Sequence, residues 1–289
     1  MFVSLESNPP QGDCRLPQCH AVAPKIAWSF EPGVLLAVLA LALLYLKAWR
    51  QARTPRERHP PSAARLALFA GGLLTILIAL VSPVDELGRQ LMLMHMVQHI
   101  LLLDVAPILM ILGLTKVLLR PATRRLNAIE RRAGFLAHPA TAVIAYAGLM
   151  WLWHVPAMYD AALRSANLHA LEHICFGAAG TLYWWHLLSP IRSRMRLGGM
   201  GPIAYMVATK MLVGILGIAL AFAPTAIYPF YAHHPHFWNL SPREDQNMAG
   251  LLMALEQSLV MGIALVVLFV RMLNESEREA QRAERFEVA

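Results

Sequence analysis

The chain is a succession of long apolar segments, at about 32–49, 66–83, 91–119, 139–159, 167–189, 202–223 and 247–272. Each is near the roughly 20 residues that an α-helix needs to cross the hydrocarbon core of a bilayer. In lipid, backbone N–H and C=O groups must be satisfied within a helix or a closed barrel. These runs are too long for barrel strands. They predict an all-α, polytopic membrane protein built as a seven-transmembrane-helix bundle. Only 15% of the residues are charged, against about 25% in soluble domains.

Charge supplies an orientation. The net charge of +7 would suit nucleic acid, but the basic residues lie in the short connections between spans, where topology signals belong. No nucleic-acid partner is expected; the lipid bilayer is. Nineteen Lys and Arg fall at 47–65, 116–138, 190–201 and in the tail, while Arg15, Lys25, Arg89, Arg164 and Arg243 fall on the other side. This predicts an outside N-terminus and a cytoplasmic C-terminus. The expected organisation is an extracytoplasmic tail at 1–30, a transmembrane domain at 31–273 and a cytoplasmic tail at 274–289. The start, "MFVSLESNPPQGDC", has no basic stretch followed by an apolar core, so the first span is expected to serve as an uncleaved insertion signal.

With depth assigned, nine of twelve histidines gather toward the outer face. His95 and His99 open the third span, His154 ends the fourth, and His169 and His173 open the fifth. His20 lies in the tail, and His233, His234 and His236 in an outer loop. The two i, i+4 pairs each project from one helix face. Met92 and Met96 extend the first stripe, Glu172 lies three residues after His169, and Trp151, His154 and Met158 are expected to share a face. Asp245 and Gln246 stand level with them at the start of span seven, as ligands, as partners that orient a histidine ring, or as helix caps. One buried histidine is commonly a hydrogen-bonded core residue; five on three helices at one depth mark a site.

Imidazole suits several transition metals and thioether favours Cu(I). Copper is therefore the expected ligand, with zinc as the alternative. Haem fits less well, because i, i+4 histidines on one helix cannot ligate opposite faces of a porphyrin. The candidate metal set is His95, His99, His154, His169, His173, Met92, Met96, Glu172 and Asp245. "CRLPQCH" adds Cys14, Cys19 and His20 as a disulfide or a metal-capture motif. Deeper in the bundle, Asp104 points about 140–180° away from the two histidines of its helix. It is expected to pair with Lys210, and Pro107 to kink span three. Glu256 is a mid-span carboxyl with no assigned role.

The segments "HMVQHILLLDVAPILMILG" (95–113), "WHVPAMYDAAL" (153–163), "LHALEHICF" (168–176) and "LSPREDQNMAGLLM" (240–253) resemble the signature segments of the multi-span CtaG-type, or caa-type, cytochrome c oxidase assembly factors. The resemblance covers about 30–272, in order and spacing. It implies a seven-span fold and a non-enzymatic role in assembling haem–copper oxidase in the bacterial plasma membrane, with the supply of copper as the expected step. The implied partners are an oxidase subunit and a copper donor. By motif position the family's histidines match His95, His99, His154, His169 and His173, and its span-seven entrance matches Asp245 and Gln246. "CRLPQCH" and the "HHPH" run fall outside the pattern. An intramembrane zinc hydrolase, with Glu172 or Asp245 as general base, and a copper permease using Asp104, Glu256 and Lys210 are the competing readings.

Overall fold

The computed structural model describes residues 23–53, 60–191, 195, 197–232 and 238–287. Among these residues every regular element is helical. In chain order they are α1 (Pro32–Ala52), α2 (Ala63–Leu80), α3 (Pro83–Gly88), α4 (Met92–Ile100), a π-helical turn (Leu101–Val105), α5 (Ala106–Gly113) and α6 (Lys116–Ala133). A 3₁₀ turn (Gly134–Ala137), α7 (Pro139–Trp153), α8 (Pro156–Arg164), α9 (Ala166–Leu188), α10 (Gly201–Ala221), α11 (Pro229–Ala232) and α12 (Pro242–Glu287) follow.

Among the described residues, five helical rods are long and apolar enough to cross a membrane: α1, α2, α4 through α5, α10 and the Pro242–Asn274 part of α12. A sixth exists if the Lys116–Ala137 helix and α7, bent by 65° at their junction, are taken together. The fourth run is shorter than the sequence suggested. Pro156 disfavours helix at Val155, so α7 stops at Trp153, has 15 residues, and leaves His154 as its C-cap. Trp151, His154 and Met158 therefore do not share a continuous face; Trp151 instead donates to the Leu212 carbonyl at 2.8 Å. The fifth run is one 23-residue helix, α9, whose polar residues hold its hydropathy below that of a lipid-facing span.

One stretch expected as a loop is helical, and the charged, helix-prone tail is helical too. The basic segment after α5 forms α6, capped by the Thr115 hydroxyl, which accepts from the Leu118 N–H at 3.3 Å. The charged tail continues α12 without a break, as a single 46-residue helix.

Pro107 has its effect one turn upstream. A proline at this position cannot donate to the Leu103 carbonyl and its ring presses on it. The chain absorbs this as the π-helical turn Leu101–Val105. The Leu103 carbonyl meets Gly180 of α9 so closely that a Cβ there would overlap it. Backbone thus meets backbone where the two histidine-bearing helices pack. A second such contact joins α10 and α12 at Gly217 and Gly250, the small-residue packing that membrane helices use in place of a hydrophobic drive. The main core lies among α4, α5, α7, α9, α10 and α12; a smaller cluster ties α1 and α2 to the α5–α6 junction.

Candidate metal centre

One end of the bundle gathers the start of α4, the end of α7, the start of α9 and the start of α12. Asp245, on the first turn of α12, organises that end. Its Oδ2 accepts the Met92 N–H at 2.6 Å and its Oδ1 the Leu93 N–H at 3.0 Å. These are unpartnered donors of a helix start, where negative charge is favoured. Asp245 thus caps a helix 153 residues away in sequence. Its carboxylate is engaged by backbone, unlike the free ligand the sequence allowed for. Gln246 accepts the Ile227 N–H at 2.6 Å and donates to the Thr225 carbonyl at 3.2 Å, latching the segment after α10.

With α4 and α9 so held, their histidine pairs interleave. The rings of His95 and His99 lie 4.1 Å apart, those of His169 and His173 4.2 Å. Across the helices His95 stacks on His169 at 5.3 Å, and His99 meets His173 at 6.0 Å. Glu172 projects between them: its Oε1 is 3.8 Å from His95 Nε2 and 3.5 Å from His99 Nε2. His95 and Glu172 are fully inaccessible to solvent. One ligand atom from each of His95, His169 and Glu172 fits within a mutual separation of 4.8 Å.

These groups have no hydrogen-bond partners. Both ring nitrogens of His95 and of His99, Nε2 of His169 and of His173, and both oxygens of Glu172 lack one. Buried polar atoms are almost always paired, and each orphan costs about 1–3 kcal/mol. A concentration of orphaned lone pairs in one pocket has the donor chemistry of a cation site.

His154 adds a differently prepared donor. Its Nδ1 lies 2.7 Å from the Met150 carbonyl. That bond places the proton on Nδ1 and leaves Nε2 as a lone pair. Nε2 faces the Met96 sulfur at 3.4 Å. Two lone-pair atoms in opposition, with no hydrogen between them, suit a soft cation. Met92 begins α4, fully buried, while the sulfur that faces His154 is that of Met96.

Three tyrosines form a roof that sequence reasoning missed. Tyr159 of α8 lies 5.2 Å from His95 and 5.9 Å from His154. Tyr228 donates to the His154 carbonyl at 2.9 Å, and Tyr231 to the Gly88 carbonyl at 2.7 Å. Burial pushes all three phenols up, so the roof is uncharged at neutral pH. Aromatic residues in "PAMYDAAL" and "IYPFYA" were visible, but no period links them to the histidines.

Asp104 does not pair with Lys210. It lies on the π-helical turn, where it accepts from the Tyr146 hydroxyl at 2.8 and 2.9 Å and from Trp184 Nε1 at 2.7 Å. Lys210 donates to the Ser258 hydroxyl at 2.7 Å. A carboxylate rotated away from the histidines found neutral donors on α7 and α9 within the core. Cys14, Cys19, His20, His233, His234 and His236 lie outside the described residues.

Comparison with known proteins agrees with the motif resemblance. The chain is 23% identical to the uncharacterized protein ML1998 of Mycobacterium leprae over 89% of its own length and 41% of the relative's. It is 25% identical to the uncharacterized protein Mb0105 of Mycobacterium bovis over 93% and 43%. The chain thus spans about two-fifths of the curated relatives it matches. No solved structure matches it significantly. The family model described as cytochrome c oxidase caa3 assembly factor (Caa3_CtaG) matches residues 43–275, a stretch that contains every member of the histidine cluster and the aspartate that caps α4. On that match, which runs from within α1 to α12, the chain belongs to the caa3-type cytochrome c oxidase assembly factor family.

Proposed function

We propose that this chain is a non-catalytic copper-handling factor of the bacterial plasma membrane. It takes copper from a donor, holds it at the His95–His169–Glu172 cluster with His99, His154, His173 and Met96 around it, and passes it to a subunit of a haem–copper oxidase. The observation that carries this reading is the convergence of three buried ligand groups within 4.8 Å, on atoms that have no hydrogen-bond partners. Neutral imidazoles supply strong donors without charge, and one carboxylate offsets part of the cation's charge.

In this reading the chain crosses the membrane seven times, through α1, α2, α4 with α5, α7, α9, α10 and α12. The charge asymmetry of the connections sets the N-terminus outside. The starts of α4, α9 and α12 and the end of α7 then share the outer face, which suits delivery to an outward-facing copper centre.

Metal analysis of the detergent-purified protein tests this directly. Stoichiometric copper that disappears in His95→Ala and His169→Ala supports it; a deletion strain with full oxidase activity in low copper sinks the assembly role. Glu172 favours one competing reading, because two histidines and one glutamate are also the ligands of hydrolytic zinc sites. Zinc in place of copper, with the same dependence on His95, would transfer the assignment to that chemistry.

A further inference from the structure

Below the imidazoles lies a small cavity with room for about one water-sized guest. Its polar and sulfur-bearing lining is Met96, His99, Met150, Met253, Asp104 and Glu256. The methionines come from three different helices, α4, α7 and α12, and are 1%, 4% and 4% exposed. Met96 and His99 are shared walls: Met96 faces His154, and His99 faces Glu172. His99 is 2% exposed, and neither of its ring nitrogens has a hydrogen-bond partner. Among the described residues no lysine or arginine lines the cavity.

We infer that this cavity is a second metal site, a thioether station for a soft monovalent cation, Cu(I) by preference, formed by Met96, Met150 and Met253 with His99 at its boundary with the upper cluster. The inference rests on the copper reading above and extends it. The two sites differ in donor chemistry. The upper one offers imidazole and carboxylate, which bind Cu(I) but also accept divalent ions such as zinc. The lower one offers thioether sulfur, which discriminates for soft, low-charge ions. A cation there would be costly in a membrane interior without nearby negative charge. Asp104 and Glu256, a carboxyl pair in contact with each other on the cavity wall, are placed to supply it. Asp104 is held rigidly by Tyr146 and Trp184. Met96 and His99 belong to both sites, so a metal ion moving between them exchanges donors without leaving protein ligands. No electron transfer is involved, since the ion enters as Cu(I).

Silver(I), a redox-inert probe with the ligand preference of Cu(I), tests this on the full detergent-solubilised chain. X-ray absorption at the silver edge should show two or more sulfur scatterers in the wild-type protein. In the Met150→Leu/Met253→Leu variant, which conserves side-chain volume, silver affinity should fall at least tenfold and the sulfur shell should be lost. In Glu172→Gln and His169→Ala the sulfur shell should persist. Silver held only by nitrogen or oxygen, or a sulfur shell that vanishes in His169→Ala, overturns the inference. If the double methionine variant does not fold, the sulfur count in the wild type and its survival in His169→Ala still decide. Copper at the imidazoles with no silver–sulfur shell would overturn the lower site alone. A silver–sulfur shell without metal at the imidazoles would retain the lower site and sink the upper reading.

Discussion

Two buried polar centres share α4, its π-helical continuation and α9, and they are built on opposite principles. Asp104 is 1% exposed and satisfied by the Tyr146 hydroxyl and the Trp184 indole. About one and a half to two and a half turns nearer the helix start, His99 and His95, with Glu172 of α9, are as deeply buried and have no hydrogen bonds. A satisfied buried carboxylate is architecture: it joins α4, α7 and α9 through contacts 42 and 80 residues apart in sequence. A cluster of unsatisfied donors destabilises the empty fold and is compensated only when a guest arrives. Substitutions should therefore act in opposite directions at the two centres.

The largest effect should come where the two centres are joined. Gly180→Ala drives a Cβ into the Leu103 carbonyl, and overpacking of this kind costs about 1–3 kcal/mol or more. Loss of most folded protein, followed by size-exclusion and thermal melting in detergent, is expected; an unchanged melting temperature would show that the helices can separate without harm. Asp104→Leu should be next. It leaves the Tyr146 and Trp184 donors unpaired, at about 1–3 kcal/mol, and should lower the melting temperature while preserving metal at the imidazoles.

Glu172→Gln should reverse the pattern. It replaces an uncompensated acid by a neutral amide, so the metal-free protein should melt no lower than wild type. Added copper, which should stabilise wild type by ligand linkage, should stabilise the variant far less. A clear drop in the metal-free melting temperature would mean that Glu172 serves architecture as Asp104 does. Asp245→Ala should have a smaller cost of about 1 kcal/mol, the scale of a lost helix cap, read as a modest drop in melting temperature. Lys210→Met should stay within about 0.5 kcal/mol, because the Lys210 ammonium donates to the Ser258 hydroxyl on the neighbouring helix and pairs with no carboxylate among the described residues. A large effect there would show that the Lys210–Ser258 bond between α10 and α12 carries more of the fold than an isolated hydrogen bond does.

Much of the upper centre was legible from local spacing. Histidines four apart on a helix must share a face whatever surrounds them, so 95 with 99 and 169 with 173 needed no tertiary information. The apolar runs likewise announced membrane helices. Pro156 was a visible terminator, but its consequence was underread: the fourth run was carried past it, and the shared face assigned to Trp151, His154 and Met158 does not form. The basic stretch after α5 was read as loop because its charge dominated its helical period; Thr115 caps it as a helix.

Other features depended on partners distant in the chain. That Asp245 would cap α4, that Tyr228 and Tyr231 would roof the imidazoles, and that Met150 and Met253 would meet Met96 around one cavity follow from how helices cross. Periodicity along one helix fixes which residues share a face, because 3.6 residues per turn is a local property of the backbone. Which faces meet, and whether a buried group finds a donor or an empty pocket, depends on packing between segments. For this chain the backbone contacts at Gly180 and Gly250, and the π-helical turn ahead of Pro107, set those crossings. They separate a satisfied aspartate on the π-helical turn from an unsatisfied glutamate on α9.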